Sequence, residues 1–182
     1  MKAENKPWIV SIGDVAWDLF LEIPQGIVWG SDVPGKVEFS YGGSAANFAV
    51  WASRMGARVR LLGKVGKDFW GQLMLRHLKK EKVDFPLKPI AGGRTARIGI
   101  LVSSEGERAM VMDKDPQLAF SLNDFSPAFL EECSLLFFTG YAVFARSSLE
   151  FLRVILDYCH KIQIPVAFDP SSFHLMESFG PQ

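Results

Sequence analysis

The sequence has no excess of charge of either sign. Twenty Lys and Arg residues balance twenty Asp and Glu residues in a chain of 182. A chain without a basic surface has no electrostatic field that would hold the phosphates of a nucleic acid, so nucleic-acid binding is disfavoured. We therefore expect the partner to be a small molecule.

Cysteine is scarce as well. The two cysteines, Cys133 and Cys159, form no CxxC pair and have no histidine at the spacing of a zinc site, which excludes a structural zinc centre built on them. We interpret both as reduced thiols in the core. Reduced core thiols predict a cytoplasmic protein.

Long hydrophobic runs are also missing. The longest apolar segment, residues 135–145, contains Thr139 and Gly140 and is well below the roughly 20 residues that a membrane helix needs. The apolar stretch at 8–12 is too short for the core of a signal peptide. The sequence thus predicts no membrane association, and its 48% hydrophobic residues suffice for one α/β core.

Short buried-type runs alternate with amphipathic stretches along the chain. Strands are predicted at 8–13, 58–63, 135–138 and 166–169, and helices at 44–55, 68–80, about 127–133 and 147–162. Residues 17–41 and 95–112 lack a helical period and are predicted to form short strands, the second as a hairpin that turns at 103–107. This order favours an α/β fold with parallel strands and right-handed crossovers.

The most informative segment is residues 42–49, Gly-Gly-Ser-Ala-Ala-Asn-Phe-Ala, followed by Gly56 and Gly66. Ser44 is predicted to cap the helix that begins here. Glycines before a helix let a ligand approach the backbone, and Asn47 offers a donor and an acceptor to hydroxyl groups. These residues alone leave two interpretations open: a ligand site, or a tight turn that enters an ordinary capped helix.

The spacing resembles the first signature of the PfkB family of ribokinase-like carbohydrate kinases: Gly-Gly-x-Ala-x-Asn-x-Ala, six residues to Gly56 and nine more to Gly66. The resemblance extends over the whole chain but only over the N-terminal part of a typical family domain. It implies an α/β, ribokinase-like, doubly wound and mostly parallel sheet with a small β-sheet lid, and with the C-terminal part missing. Residues 1–182 are then one incomplete domain, with lid strands at approximately 18–41 and 95–113 and an α/β body in the remainder.

The resemblance also implies which residues bind a sugar. Asp18, five residues beyond the glycine that ends the first strand, matches the family's aspartate that hydrogen-bonds sugar hydroxyls. Gly42, Gly43 and Asn47 would hold the same sugar from the other side. A carboxylate suits this role because it accepts two hydroxyl hydrogens in charge-assisted bonds, whereas a solvated charge at a strand edge is the alternative interpretation of Asp18.

Three further positions are of interest because the family pattern has characteristic residues at or near them. Lys114 follows the lid hairpin, where relatives often carry an arginine that faces the substrate, and it is predicted to bind the substrate. Asp14 is interpreted as a turn-forming residue. Asp169 begins a segment in which many relatives have Asp-x-Asn-x-Arg near the phosphates, and the serines at 171 and 172 depart from that pattern.

The family's catalytic base lies in a Gly-Ala-Gly-Asp turn, and the sequence has none: Gly56-Ala57 is followed by Arg58. The resemblance implies ATP and Mg²⁺ for a full-length member, with their main binding elements absent here, and no metal site is predicted. One hypothesis is the substrate-binding portion of an ATP-dependent sugar kinase, inactive alone. The other is a non-catalytic sugar-binding or dimerisation module from that family, and a homodimer would form through the lid.

Overall fold

The chain folds into two β-sheets and three α-helices, seen in a computed structural model that describes residues 6–143 and 145–172. The strands are β1 (Trp8–Ile12), β2 (Ala16–Glu22), β3 (Lys36–Gly42), β4 (Arg58–Leu62), β5 (Val83–Asp84), β6 (Ala96–Val102), β7 (Arg108–Asp113), β8 (Cys133–Thr139) and β9 (Val166–Asp169). The helices are α1 (Ser44–Arg54), α2 (Phe69–Lys80) and α3 (Arg146–Lys161).

The central sheet has the strand order β5-β4-β1-β8-β9, and all its pairs are parallel. Strands buried on both faces are typical of parallel sheets, and Val10 and Ile12 of β1 are fully buried. Helices α1 and α2 pack on one face of the sheet, and α3 packs on the other. The predicted α/β fold with a doubly wound parallel sheet is confirmed.

The second sheet, which we call the lid sheet, has the order β3-β2-β6-β7. Strands β2 and β6 are parallel, and the two outer pairs are antiparallel. Because side chains alternate between the two faces of a strand, Asp18 shares its face with Ile98 and Met112, whereas its neighbour Trp17 lies on the opposite face. One face of the lid sheet can therefore carry a binding site while the opposite face packs against the rest of the protein.

Helix α2 follows the sequence rules closely. Asp68 is its N-cap and accepts the backbone N–H of Gly71 at 2.7 Å, and three basic residues lie in its last turn. Three of its apolar residues are buried: Gly71, Met74 and Leu78.

Two local predictions are wrong. Ser44 is the first residue of α1 and not its cap; the capping position is occupied by Gly43, which has φ = 96° and no side chain to cap with. The segment predicted as a helix near 127–133 forms only a 3₁₀ turn, Pro127–Leu130. Glu132 then takes a positive φ of 56°, and β8 begins at Cys133, so the chain has no room for a full α-helix.

Over the ranges 6–143 and 145–172, no helix is long and apolar enough to cross a bilayer. Both cysteines carry free thiols, and Cys159 is buried.

Candidate functional site

The site lies where the carboxyl end of β1 meets the lid sheet and the N-terminus of α1. Gly13 follows β1 directly and has φ = 149°, and a Cβ at this position would come within 2.9 Å of the Cβ of Ala45. This close approach brings the first turn of α1 against the end of the strand. In open parallel sheets, ligands bind at this edge.

Asp14 is bound to the N-terminus of α1. Its Oδ2 accepts the backbone N–H of Ser44 at 2.8 Å, and its Oδ1 accepts the Thr139 hydroxyl at 3.2 Å. A carboxylate is stabilised there by the free N–H groups and the positive end of the helix dipole. Asp14 thus supplies the cap that the sequence assigned to Ser44, from a position 30 residues away.

Asp18 presents an unsatisfied carboxylate to the site. Among the described residues, its Oδ1 is buried and has no hydrogen-bond partner. Burial, and secondarily the charge of Asp14, raises the pKa of Asp18 to about 6. A buried oxygen without a partner costs free energy in the empty protein, and a ligand hydroxyl would remove that cost.

Two glycines at the junction of β3 and α1 leave space for the carboxyl group of Asp18 and for the backbone of Asp14. A Cβ on Gly42 would overlap the carboxyl group of Asp18. Gly43 has a positive φ of 96°, and a Cβ there would lie 2.5 Å from the carbonyl oxygen of Asp14. Both positions therefore require glycine, the first because of space and the second because of space and backbone conformation.

Asn47 and Lys114 approach the same space from α1 and from the end of β7. The backbone N–H of Asn47 donates to the carbonyl of Gly43, and its exposed side chain is free to point at a ligand from the first turn of α1. The Nζ of Lys114 lies 5.3 Å from the ring centroid of Tyr141. Burial lowers the pKa of Lys114 to about 8, against the opposing effect of Asp14, so it stays mostly protonated at pH 7.

These side chains line a cavity of about 130 Å³. Its polar lining includes Asp14, Asp18, Asn47, Lys114 and Tyr141. The lid sheet provides an apolar wall of Ile98, Ile100, Met110 and Met112. A neighbouring cavity of about 300 Å³ shares Asp14, Lys114 and Tyr141 with it.

The structure brings together every residue that the sequence predicted for the site. Asp18, Gly43, Asn47 and Lys114 line the cavity, and Gly42 lies against the carboxylate of Asp18. That they bind a sugar stays a prediction. Asp169 is not in the lining of either cavity; its Oδ1 accepts the backbone N–H of Ser171 at 2.8 Å.

Sequence reasoning left several lining residues out of the site, among them Asp14 and Tyr141. Each lies just beyond the carboxyl end of a central strand, β1 or β8, and is separated from that strand by a single glycine. The two strands are neighbours in the sheet. That placement is itself a signal, because strand ends on one edge of a parallel sheet converge. The phenol of Tyr141 is a hydrogen-bond donor at neutral pH even at the ordinary tyrosine pKa of about 10. Burial, aided by the charges of Asp14 and Asp169, raises the pKa of Tyr141 further.

The chain is similar in sequence and in fold to known proteins. The family model described as pfkB family carbohydrate kinase matches residues 9–178. The probable fructokinase-4 of Arabidopsis thaliana is 34% identical over 119 residues, which are 64% of this chain and 36% of the relative. The chain therefore spans little more than a third of the length of that curated protein.

Two solved structures are similar in fold. Adenosine kinase from Sinorhizobium meliloti superposes with a TM-score of 0.84 at 22% identity, covering 96% of this chain and 59% of that one. An uncharacterized sugar kinase from Pyrococcus horikoshii, in complex with ATP, has a TM-score of 0.76 at 25% identity, covering 93% of this chain and 55% of the other. The fold is therefore ribokinase-like.

Proposed function

Since the chain belongs to the pfkB family of carbohydrate kinases, we propose that its cavity binds the sugar, or sugar derivative, that such a kinase phosphorylates. The reaction of the whole protein would transfer the terminal phosphoryl group of ATP to a substrate hydroxyl, releasing ADP. The 182 residues present here would supply substrate recognition only.

The observation that carries this proposal is the buried Oδ1 of Asp18, which has no hydrogen-bond partner in residues 6–143 and 145–172. A vicinal diol could donate two hydrogen bonds to the carboxylate, and such charge-assisted bonds are about twice as strong as neutral ones. Asn47 would contribute one donor and one acceptor from the opposite wall, and the ammonium of Lys114 would donate to a hydroxyl or carbonyl oxygen. The apolar lid wall would pack on the C–H face of the sugar ring and exclude water.

We propose no site for ATP or Mg²⁺, which the family implies, among the described residues. In residues 6–143 and 145–172, no group of three or more His, Cys, Asp or Glu side chains could hold a metal ion. The sequence also contains no Gly-Ala-Gly-Asp turn to supply a base and an anion hole. We therefore derive no catalytic step for this chain, because phosphoryl transfer depends on positioning and electrostatic stabilisation of the phosphates.

We expect the 182-residue chain to bind a sugar without turning it over. Calorimetric titration with D-fructose, D-ribose and adenosine should show saturable binding of at least one of them, and an ADP-release assay with Mg-ATP should stay at background for all three. Robust ADP release would overturn the prediction that the chain is catalytically inactive. Absence of binding by protein that melts cooperatively would overturn sugar recognition, and with it the proposed function.

A second candidate function, a dimerisation module, is favoured by strand β7. All six residues of this edge strand are exposed, and four consecutive ones are apolar: Ala109, Met110, Val111 and Met112. An exposed apolar edge strand is a site for pairing with another chain. We propose that two copies associate through this edge of the lid sheet.

Sedimentation velocity tests the proposed dimer. The wild-type chain should sediment at twice its mass of 20.3 kDa. Val111→Lys should shift it to the monomer, because Val111 is 68% exposed on β7 and does not line the sugar cavity. Asp32→Lys, an exchange at an exposed loop residue, is the matched control and should leave the dimer intact. A wild-type monomer at all concentrations would contradict the proposal.

A further inference from the structure

A cluster of aromatic rings joins the lid sheet to helix α2. The ring of Tyr41 in β3 stacks on the imidazole of His77 with centroids 3.6 Å apart and planes 4° from parallel. The ring of Trp70 in α2 meets the ring of Trp17 edge to face, with centroids 5.1 Å apart, and stacks on the ring of Phe39 with centroids 5.5 Å apart. The indole N–H of Trp17 donates to the carbonyl of Trp70 at 2.9 Å.

The rings lie directly beside the residues of the proposed sugar site. Trp17 precedes Asp18 in β2, and Tyr41 precedes Gly42 in β3, and the two strands pair in register there. Because successive side chains point to opposite faces, the rings hold the outer face of the lid while Asp18 faces the cavity. A movement of Tyr41 or Trp17 would therefore move Gly42 and Asp18 with it.

The same helix also holds the other half of the lid. Asp68, the N-cap of α2, accepts the backbone N–H and the hydroxyl of Thr95, each at 2.7 Å. Thr95 is almost fully buried and immediately precedes β6. Its hydroxyl oxygen in turn accepts the backbone N–H of Gly66. Both insertions that form the lid sheet are thus attached to one helix of the body.

We infer that helix α2 positions the lid sheet over the cavity, with the Tyr41–His77 stack and the Asp68–Thr95 bonds among its points of attachment. Helix α2 shares its hydrophobic cluster with α1 and β4, so it moves as part of the rigid body. His77 and Thr95 are positioning residues in this arrangement, and neither lines the cavity. The expected effect on sugar affinity rests on the proposed function, whereas the attachment of the lid does not.

The test compares His77→Ala with His77→Phe. Removal of the ring should raise the amide hydrogen-exchange rates of β2 and β3 about two- to tenfold, the range expected for an aromatic pair, and leave β8 and α3 unchanged. His77→Phe keeps a ring in the stack and should restore wild-type exchange. Affinity for whichever of D-fructose, D-ribose or adenosine binds the wild type should fall and recover in parallel.

His160→Ala, at an exposed position of α3 outside the cluster, is the control and should change neither measurement. Thr95→Val, which removes the hydroxyl bound to Asp68, should raise exchange in β6 and β7 instead. If His77→Ala does not fold, Tyr41→Leu and its rescue by Tyr41→Phe carry the same comparison.

Unchanged exchange in β2 and β3, or failure of the phenylalanine to restore it, would overturn the inference. Because exchange is measured without sugar, faster exchange together with no sugar binding by the wild type would refute the proposed function and leave the positioning role of α2 supported.

Discussion

Asp18→Asn should weaken sugar binding by about 100-fold while making the empty protein more stable. The carboxylate accepts two charge-assisted hydrogen bonds, whereas the amide that replaces it offers one neutral acceptor and one donor. The expected loss of binding free energy is roughly 3 kcal/mol. Stability should rise, because the folded protein buries a carboxylate oxygen, Oδ1, that has no hydrogen-bond partner in the part of the chain that the structure describes. Calorimetric titration and thermal or denaturant unfolding measure the two effects.

The pH dependence of stability follows from the raised pKa of Asp18, about 6 in the folded chain against roughly 3.9 when unfolded. The folded state favours the protonated form, so the stability that this group contributes is present below about pH 4 and lost as the pH rises through about 6. At pH 7, Asp18→Asn should gain on the order of 1 kcal/mol, discounted for solvent screening at a half-buried site. At pH 4 the gain should disappear.

Binding should depend on pH in the opposite sense. Only the ionised carboxylate accepts two hydroxyl hydrogens, so wild-type affinity should fall about tenfold from pH 7 to pH 5. Asp18→Asn should bind weakly at both pH values. Asp32→Asn, a control in an exposed loop, should match the wild type throughout. An Asp18→Asn protein that binds as tightly as the wild type would remove Asp18 from the site.

Most of the fold could be predicted from the sequence because its signals are local. The alternation of buried runs with amphipathic segments places β1, β4, β8 and β9 of the parallel sheet but not the two-residue strand β5. Asp68 followed by an apolar period places α2 to within a residue. One of the two wrong predictions concerns a contact between distant positions. Ser44 has the right residue type to cap α1, yet Asp14 takes that role across 30 residues, which no local rule detects.

The candidate site was predictable where the family signature fixed it and not elsewhere. Gly42, Gly43 and Asn47 lie within six consecutive residues, so a short motif locates them. Tyr141 enters the site only because β8 lies beside β1, and His77 meets Tyr41 only because the lid sheet packs on α2. Both contacts are consequences of topology, and a single sequence without topology gives neither.

Gly42→Ala should abolish measurable sugar binding without unfolding the chain. Gly42 pairs with Ala16 at the end of β3, so its backbone is held by the lid sheet and cannot retreat easily. The added Cβ would overlap the carboxyl group of Asp18, and the more mobile group, the carboxylate, would rotate out of the cavity. We expect a loss of affinity above about 100-fold, and a loss of stability of about 1–3 kcal/mol, typical of overpacking.

Gly99→Ala is the matched control for this substitution. Gly99 lies in β6 of the same sheet, and the nearest atom to an added Cβ is the carbonyl oxygen of Val111 at 4.0 Å, an ordinary contact distance. It should retain wild-type affinity and stability. Loss of affinity in both variants would mean that the lid sheet tolerates no added Cβ at all. Wild-type affinity in Gly42→Ala would show that the site does not depend on the space that Gly42 leaves beside Asp18. Only a loss of sugar affinity in Gly42→Ala that is absent from Gly99→Ala supports the interpretation that Gly42 leaves the space in which the Asp18 carboxylate is positioned.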